Sequence, residues 1–405
     1  MKTSAEIPVP SLHGSQALRA IQTCVHCGFC NAVCPTYRVF GDELEGPRGR
    51  IYLIKDLLES RAKPEKIRKH LDRCLLCRAC ETACPSGVKY HELFEFGRVI
   101  TDETRPAAGR FIRWILRKFL LSKRLTSAAF FLGRIMKPFL PHFAKSAMSN
   151  SGKRSDPVMP IFPKRKMLIL KGCVQPGLDP EIDRKTIQVF SDAGIRLDTT
   201  EGSGCCGALS AHMGAENEAK ELIRRNIDEW FEKLQSEYEA LLVTATGCGS
   251  VIREYSQILA DDEAYRERAD YVGKRTFDPS VVLLKEKGLE YQKSPSAENI
   301  RNIAVQNPCT LQHSQNSSGI LEQILQQAGF NLVPEFEPTL CCGSAGSYSI
   351  LNKKISLEVR THKIKSLMHS SPEAVVSSNI GCLIHLRAGM GIPVFHWIEL
   401  IEIKR

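Results

Sequence analysis

The 405-residue sequence nowhere runs to the roughly 18 consecutive apolar residues that a helix needs to cross a bilayer, so any membrane association is expected to be peripheral. Its opening segment, MKTSAEIPVP, lacks the apolar core of a secretory signal. The 16 cysteines are therefore expected as reduced thiols in a cytoplasmic setting, not as the staples of a secreted scaffold. Nucleophile elbows (GxSxG), HExxH helices and P-loops are missing, which excludes the commonest self-contained hydrolytic and phosphoryl-transfer chemistries. Acidic residues are scarce in one region: between Arg105 and Lys166 there are fifteen Lys or Arg and a single acid, Asp156. No zinc-finger spacing or base-stacking motif accompanies that charge, so no nucleic-acid partner is expected.

What the chain does contain is a repeated cysteine word. Cys24, Cys27, Cys30 and Cys34, followed by Pro35, form CxxCxxCxxxCP, and Cys74, Cys77, Cys80, Cys84 and Pro85 repeat it 50 positions later. Three thiolates spaced by two residues can wrap one cluster from a single loop, while the fourth, ahead of a proline that redirects the backbone, reaches the partner cluster. The expectation is two [4Fe-4S] centres: Cys24, Cys27, Cys30 and Cys84 at one, Cys74, Cys77, Cys80 and Cys34 at the other. Structural zinc is the competing reading, but zinc takes four ligands per ion, usually as two separated pairs, and leaves the tight triplets and paired Cys-Pro words unexplained. Between the motifs, apolar residues at 51, 54, 57 and 58 lie on one helical face, and a second helix is expected from Pro64 towards Arg73. That spacer suits a helical two-cluster ferredoxin-type domain over residues 1–100.

Residues 101–165 are read as a basic amphipathic segment and linker. Phe111, Trp114, Ile115, Phe119, Leu120, Phe130, Phe131, Ile135 and Phe139 are interleaved with basic side chains, a composition open both to a membrane surface and to packing against protein. Beyond it the chain repeats itself. Cys173, Cys205-Cys206-Gly207 and Cys248 recur as Cys309, Cys341-Cys342-Gly343 and Cys382, with offsets of 136, 136, 136 and 134. Each copy opens and closes on a short apolar strand with helical sequence between, so two duplicated α/β domains are expected, at 166–295 and 296–405, and the whole is an α+β multidomain chain. The cysteines fall where strands end and helices begin, the ligand crevice of open α/β sheets. A metal centre, redox thiols and a structural role all remain open there, with His313 and His385 as further candidate ligands in the second copy. Gly202, Gly204 and Gly207 spell GxGxxG, but the second copy has Pro338 and Leu340 at the first two positions, and no dinucleotide site is expected.

The duplicated part resembles the cysteine-rich CCG domain of heterodisulfide reductases and respiratory electron-transfer subunits, although Ala245 and Asn379 stand where the fuller motif has another cysteine. Nearly the whole chain resembles the iron-sulfur subunits of glycolate oxidase, also called glycolate dehydrogenase. The likeness is carried by CVHCGFC at 24–30, GDELEGPRGRIYLIK at 41–55, HLDRC at 70–74, CPSGVKYHEL at 84–93, PCTLQH at 308–313, LCCGSAGSY at 340–348, NIGC at 379–382 and HWIE at 396–399. It implies an oxidoreductase complex in which FAD-containing partners oxidise glycolate to glyoxylate and pass electrons to this chain and on to an acceptor such as quinone. Hydroxy-acid catalysis would then lie on the partner, with FAD only there, and the chain would be cytoplasmic or peripheral on the inner face of the membrane. Related electron-transfer subunits of D-lactate or anaerobic glycerol-3-phosphate dehydrogenases, and a heterodisulfide-reductase-like thiol protein, are the alternatives.

Overall fold

The computed structural model describes residues 12–122, 125–126, 129, 157, 160 and 162–404. They divide into two compact units, Met1–Ile115 with Thr339–Lys363, and Leu116–Pro338 with Ile364–Arg405. No helix among the described residues is long and apolar enough to cross a membrane.

The first unit is helical, and every strand found among the described residues lies outside it. Its main helices are α1 (Leu12–Thr23), α2 (Pro47–Leu58), α3 (Pro64–Asp72) and α4 (Tyr90–Glu103). Pro47 and Pro64 open their helices at first-turn positions, where proline's missing N–H costs nothing. The expected apolar stripe is realised: Ile51 and Ile54 of α2 are buried with Ile21 of α1, Ile67 and Leu71 of α3, and Leu93 and Phe94 of α4. Cys24 and Cys80 belong to the same core, which therefore grips the cysteine loops from behind. Gly49 permits one close approach, because a Cβ there would overlap the Glu43 carbonyl of the preceding turn. The segment 339–363 joins this body through two hydrogen bonds, Tyr348 Oη to the Arg73 carbonyl at 2.9 Å and Asn352 Nδ2 to the Asp72 carbonyl at 3.1 Å.

Helix α5 (Ala107–Leu121) realises the first part of the basic amphipathic segment, with Phe111, Ile112, Trp114, Ile115 and Phe119 exposed. Phe130, Phe131, Ile135 and Phe139 lie outside the described residues.

The second unit carries the duplication. One four-stranded parallel sheet has the order β2-β1-β3-β4, built from β1 (Arg165–Ile169), β2 (Ile195–Asp198), β3 (Leu241–Leu242) and β4 (Thr276–Phe277). A second runs β7-β6-β8-β9, from β6 (Asn302–Val305), β7 (Asn331–Leu332), β8 (Ala374–Ser377) and β9 (Val394–His396), again all parallel. The identical order is the structural form of the sequence repeat. An antiparallel pair, β5 (Tyr291–Lys293) with β10 (Ile401–Ile403), ties the chain end back. Long helix α6 (Glu216–Ser236) buries Ile223, Ile227 and Trp230 against Leu168 of β1, Leu241 of β3 and Val243 just beyond it.

One word quoted from the sequence proves to be structural. In HWIE, the His396 ring accepts from the Ile398 N–H at 3.4 Å and the Glu399 carboxylate accepts from the His396 N–H at 2.8 Å, a capping box on a 3-10 turn. Nearby, Asp183 is buried and accepts from Gln175 Nε2 at 2.6 Å and Thr244 Oγ1 at 3.3 Å. Burial outweighs those bonds and pushes its carboxyl from 3.8 up to about 7. The folded state therefore holds a proton that the unfolded chain has released, so stability falls as pH rises from about 4 to 7, and the full penalty stands above pH 7. Asp183→Asn, which keeps an acceptor oxygen, is expected to raise the unfolding free energy at pH 8 by at most about 4 kcal/mol and to leave it nearly unchanged at pH 4. Denaturant titrations of both proteins at the two pH values measure this. Glu399, likewise raised to about 7 by burial and by Asp179, leaves a residual slope in the variant.

Candidate functional site

Both cysteine loops fold alike. His26 and Gly28 in the first, and Leu76 and Arg78 in the second, take left-handed backbone conformations at equivalent positions, with φ of 58°, 85°, 51° and 61°. The alternation curls each CxxCxxC triplet around a common centre. Only Gly28 does so without steric cost, so three of the four positions store strain of the kind that clusters at functional sites. Each loop ends in a single helical turn, Phe29–Ala32 or Ala79–Thr82, before the Cys-Pro word turns the chain away.

The eight thiols partition around two neighbouring cavities. Cys24, Cys27, Cys30 and Cys84 line one together with Cys80, while Cys34, Cys74, Cys77 and Cys80 line the other. The first cavity thus receives Cys24, Cys27 and Cys30 from one motif with Cys84 and the shared Cys80 from the other, and the second receives Cys74, Cys77 and Cys80 with Cys34 from the other. Pro47 and Tyr90 line both. Neither lining includes a carboxylate, and the donors are soft thiols, the set that suits iron-sulfur groups. Among the described residues no three His, Cys, Asp or Glu side chains converge on the single point that one ion would occupy.

Electrostatics around the thiols has one dominant feature. Burial and the adjacent Cys24 push the Cys30 thiol up to about 11, and burial with Cys77 and Cys74 holds Cys80 well above its ordinary value. The Cys30 and Cys80 thiols stay protonated when free, and metal binding must release those protons. Under the second cavity sits Arg50, only 1% exposed. Burial opposes its charge, yet Cys74, Tyr90, Cys34 and Glu45 hold its pKa above the ordinary range. Its guanidinium donates to Thr36 Oγ1 at 3.1 Å and to the His70 carbonyl at 2.8 Å, and pairs with Glu45 at 3.2 Å. Thr36 Oγ1 lies 3.3 Å from the Cys34 sulfur. Donors to sulfur come from the Leu76 and Val88 N–H groups, each at 3.5 Å to Cys74 and Cys84 respectively, and from Tyr90 Oη to Cys74 at 3.7 Å. Such bonds set the potential of a bound cluster.

In the first copy of the duplicated domain the four candidate cysteines do come together. Cys205 shares thiol hydrogen bonds with Cys173 and Cys206, and Cys206 shares one with Cys248. Those bonds, then the Gly207 N–H and Arg225, depress the Cys205 thiol strongly, while the same bonds and burial raise Cys173 and Cys206. Cys248 lies in the first turn of α7 (Thr246–Arg253). In the second copy, Cys309 precedes a π-type turn at Thr310–Ser314 that buries His313, and Cys382 lies in the first turn of α8 (Ile380–Arg387). Cys341 and Cys342 are buried, and the Gly343 N–H donates to the Cys341 sulfur at 3.4 Å. The two departures from the fuller motif, Ala245 and Asn379, are the residues preceding α7 and α8. Asn379 reaches Cys382 as a hydrogen-bond donor, Nδ2 to Sγ at 3.4 Å. Gly207 and Gly343 are both left-handed, at φ of 86° and 87°, and a Cβ on Gly343 would meet the Ser356 carbonyl at 2.6 Å.

Sequence reasoning missed the Glu45 group beneath the second cavity. Glu45 Oε1 bonds His70 Nδ1 at 2.7 Å and Arg73 Nη1 at 2.5 Å, while Oε2 meets Arg50. The words GDELEGPRGR and HLDRC held all four residues, but nothing in their spacing announced that they meet.

Paired thiol-lined cavities on a helical scaffold, followed by twin cysteine-bearing parallel sheets, mark a protein of the iron-sulfur class. A family model for a 4Fe-4S dicluster domain matches residues 20–88, and one for a cysteine-rich domain matches 167–253 and 303–387. The chain is 40% identical to the glycolate oxidase iron-sulfur subunit of Escherichia coli K12, across 97% of this chain and 95% of that one. It is 30% identical to the probable glycolate oxidase iron-sulfur subunit of Bacillus subtilis 168, across 91% and 88%. It belongs to the family of glycolate oxidase iron-sulfur subunits. A lactate utilization protein A 2 of Bacillus cereus Q1 is 25% identical over 58% of this chain and 97% of that protein. In fold, the crystal structure of a hypothetical protein from Helicobacter pylori superposes with a TM-score of 0.53 at 8% identity, covering 96% of this chain and 72% of that one.

Proposed function

We propose that this chain is the electron-transfer subunit of a complex that oxidises glycolate to glyoxylate. It would take electrons from an FAD-containing partner and deliver them to a downstream acceptor, with a membrane quinone as the expected one and peripheral contact with the membrane as its corollary. The observation that carries the reading is the exchange of fourth cysteines between the two cavities. Cys24, Cys27, Cys30 and Cys84 would hold one [4Fe-4S] group, and Cys74, Cys77, Cys80 and Cys34 the other. Groups of this kind accept and release one electron at a time, whereas a 2-hydroxy acid gives up two together, which is flavin chemistry. The hydroxy-acid site therefore belongs on the partner. Within this chain, the loops and Cys-Pro words position the thiolates, Arg50 offsets their charge, and the N–H and hydroxyl donors fix their orientation. Cys173, Cys205, Cys206 and Cys248 form a second-tier site, for a further metal centre or thiol redox chemistry.

Anaerobic purification of the chain with its partners, counting iron, acid-labile sulfide and flavin, tests the reading. The isolated chain should carry iron and sulfide and no flavin, and should not oxidise glycolate. The complex should do so, with its clusters reduced by substrate. A colourless chain without sulfide, or turnover by the chain alone, defeats the proposal. The likeness to lactate utilization protein A supports lactate as a second reading. Reduction of the clusters by lactate but not by glycolate would select it.

A further inference from the structure

The two cysteine loops share a backbone but present opposite surfaces. In the first loop Val25 and Phe29 are 66% and 63% exposed, while their counterparts 50 positions on, Leu75 and Ala79, are 6% and 2% exposed. Cys27 is also exposed, whereas the other seven motif cysteines are buried or half-buried. Beside them Tyr52, 44% exposed, packs on the His26 ring at a tilt of 34° with centroids 4.4 Å apart. Val25, His26 and Cys27 all line the first cavity, so the apolar patch adjoins it.

The nearby charges cancel. Arg48, against Gly28, is paired with Glu43 at 2.5 Å and donates to the His26 carbonyl at 3.1 Å, and Lys55 is paired with Glu59. A wall of Val, Phe and Tyr with neutralised ion pairs at its rim suits neither an anionic lipid surface nor an acidic transient partner. Apolar faces of this kind characterise resident subunit interfaces, and burying two or three such side chains at the centre of one supplies most of its strength.

We infer that the face formed by Val25, Cys27, Phe29 and Tyr52 is the docking surface for the flavoprotein subunit, so that the first cavity is where electrons enter the chain. The inference rests on the proposed function and adds which of the two sites meets the donor. The partner would present an uncharged apolar face, with its flavin edge towards Cys27. The second cavity, lined by Leu75, Leu76 and the buried Arg50, then lies further along the path.

The test is made in the co-expressed complex with Phe29→Glu and Tyr52→Glu, two exposed residues that line neither cavity. Iron, sulfide and the paramagnetic spectrum of the reduced chain should match wild type, because neither residue supplies a thiol. Affinity for the flavoprotein should fall by about tenfold or more, and cluster reduction by substrate should slow with it. Wild-type affinity in both variants overturns the inference. So does loss of self-association, or of flotation with anionic vesicles, at unchanged flavoprotein affinity, since these outcomes assign the face to a second copy or to lipid. If a variant loses iron, hydrogen exchange of the wild-type complex decides: amides 25–29 should gain protection when the flavoprotein binds, and unchanged exchange overturns the inference. Failure of the parent reading is a different result, namely wild-type chain that binds no flavoprotein or holds no sulfide.

Discussion

Replacing Glu45 by alanine is expected to destabilise the first unit by about 3–5 kcal/mol, the usual result when one partner of a buried ion pair is removed. Glu45 and Arg50 are each 1% exposed on their side chains, so water cannot replace the lost carboxylate. Three groups lose a partner at once: the Arg50 guanidinium, the His70 ring and the Arg73 guanidinium. The Glu45 backbone carbonyl survives as acceptor for Thr36 Oγ1 at 2.7 Å, so the turn keeps one anchor. Glu45→Gln, which retains hydrogen-bonding capacity but no charge, should cost less. Denaturant midpoints measured anaerobically on both variants give the comparison. Equal stability of Glu45→Ala and wild type would show that the group is not the keystone its burial implies.

The second large effect concerns the exchanged cysteines. Cys34→Ser is expected to damage the centre formed mainly by the second motif, and Cys84→Ser the centre formed mainly by the first, because each thiol lines the cavity of the opposite triplet. A serine oxygen is a harder, less readily ionised donor and suits an iron-sulfur group poorly. Each variant should lose about half the iron and sulfide, and the complex most of its substrate-driven electron flow. Spectra of the reduced variants distinguish the centres: Cys34→Ser should resemble a substitution at Cys77, and Cys84→Ser one at Cys27. The reverse pairing would mean that each motif binds its own group without exchange.

How much of this was legible in the sequence follows from how local each interaction is. The two triplets were readable because their ligands lie within seven residues of one another, so spacing alone fixes the geometry. The duplicated sheets were readable from register, although β3 and β7 shrink to two residues each and would not have stood as strands unaided. The Glu45 group was not readable, since its members lie up to 28 residues apart and meet only when α2 and α3 pack. The opposed surfaces of the two loops were equally hidden: Val25 and Leu75 are similar side chains, and only the packed structure exposes one and buries the other. At Asn379 the sequence suggested a missing ligand, where the structure has a donor to Cys382.

The segment 339–363 belongs to the same body as the first 115 residues, which makes that body discontinuous along the polypeptide. During synthesis, Thr339 emerges 224 residues after Ile115. At about 5–20 residues per second, that interval is roughly 10–45 s. For that time the Arg73 and Asp72 carbonyls wait for Tyr348 and Asn352, next to the loop that begins at Cys74. Maturation machinery thus meets a nascent N-terminal half whose closing piece has not yet been translated, and an N-terminal fragment cut at residue 115 would remain permanently in that condition.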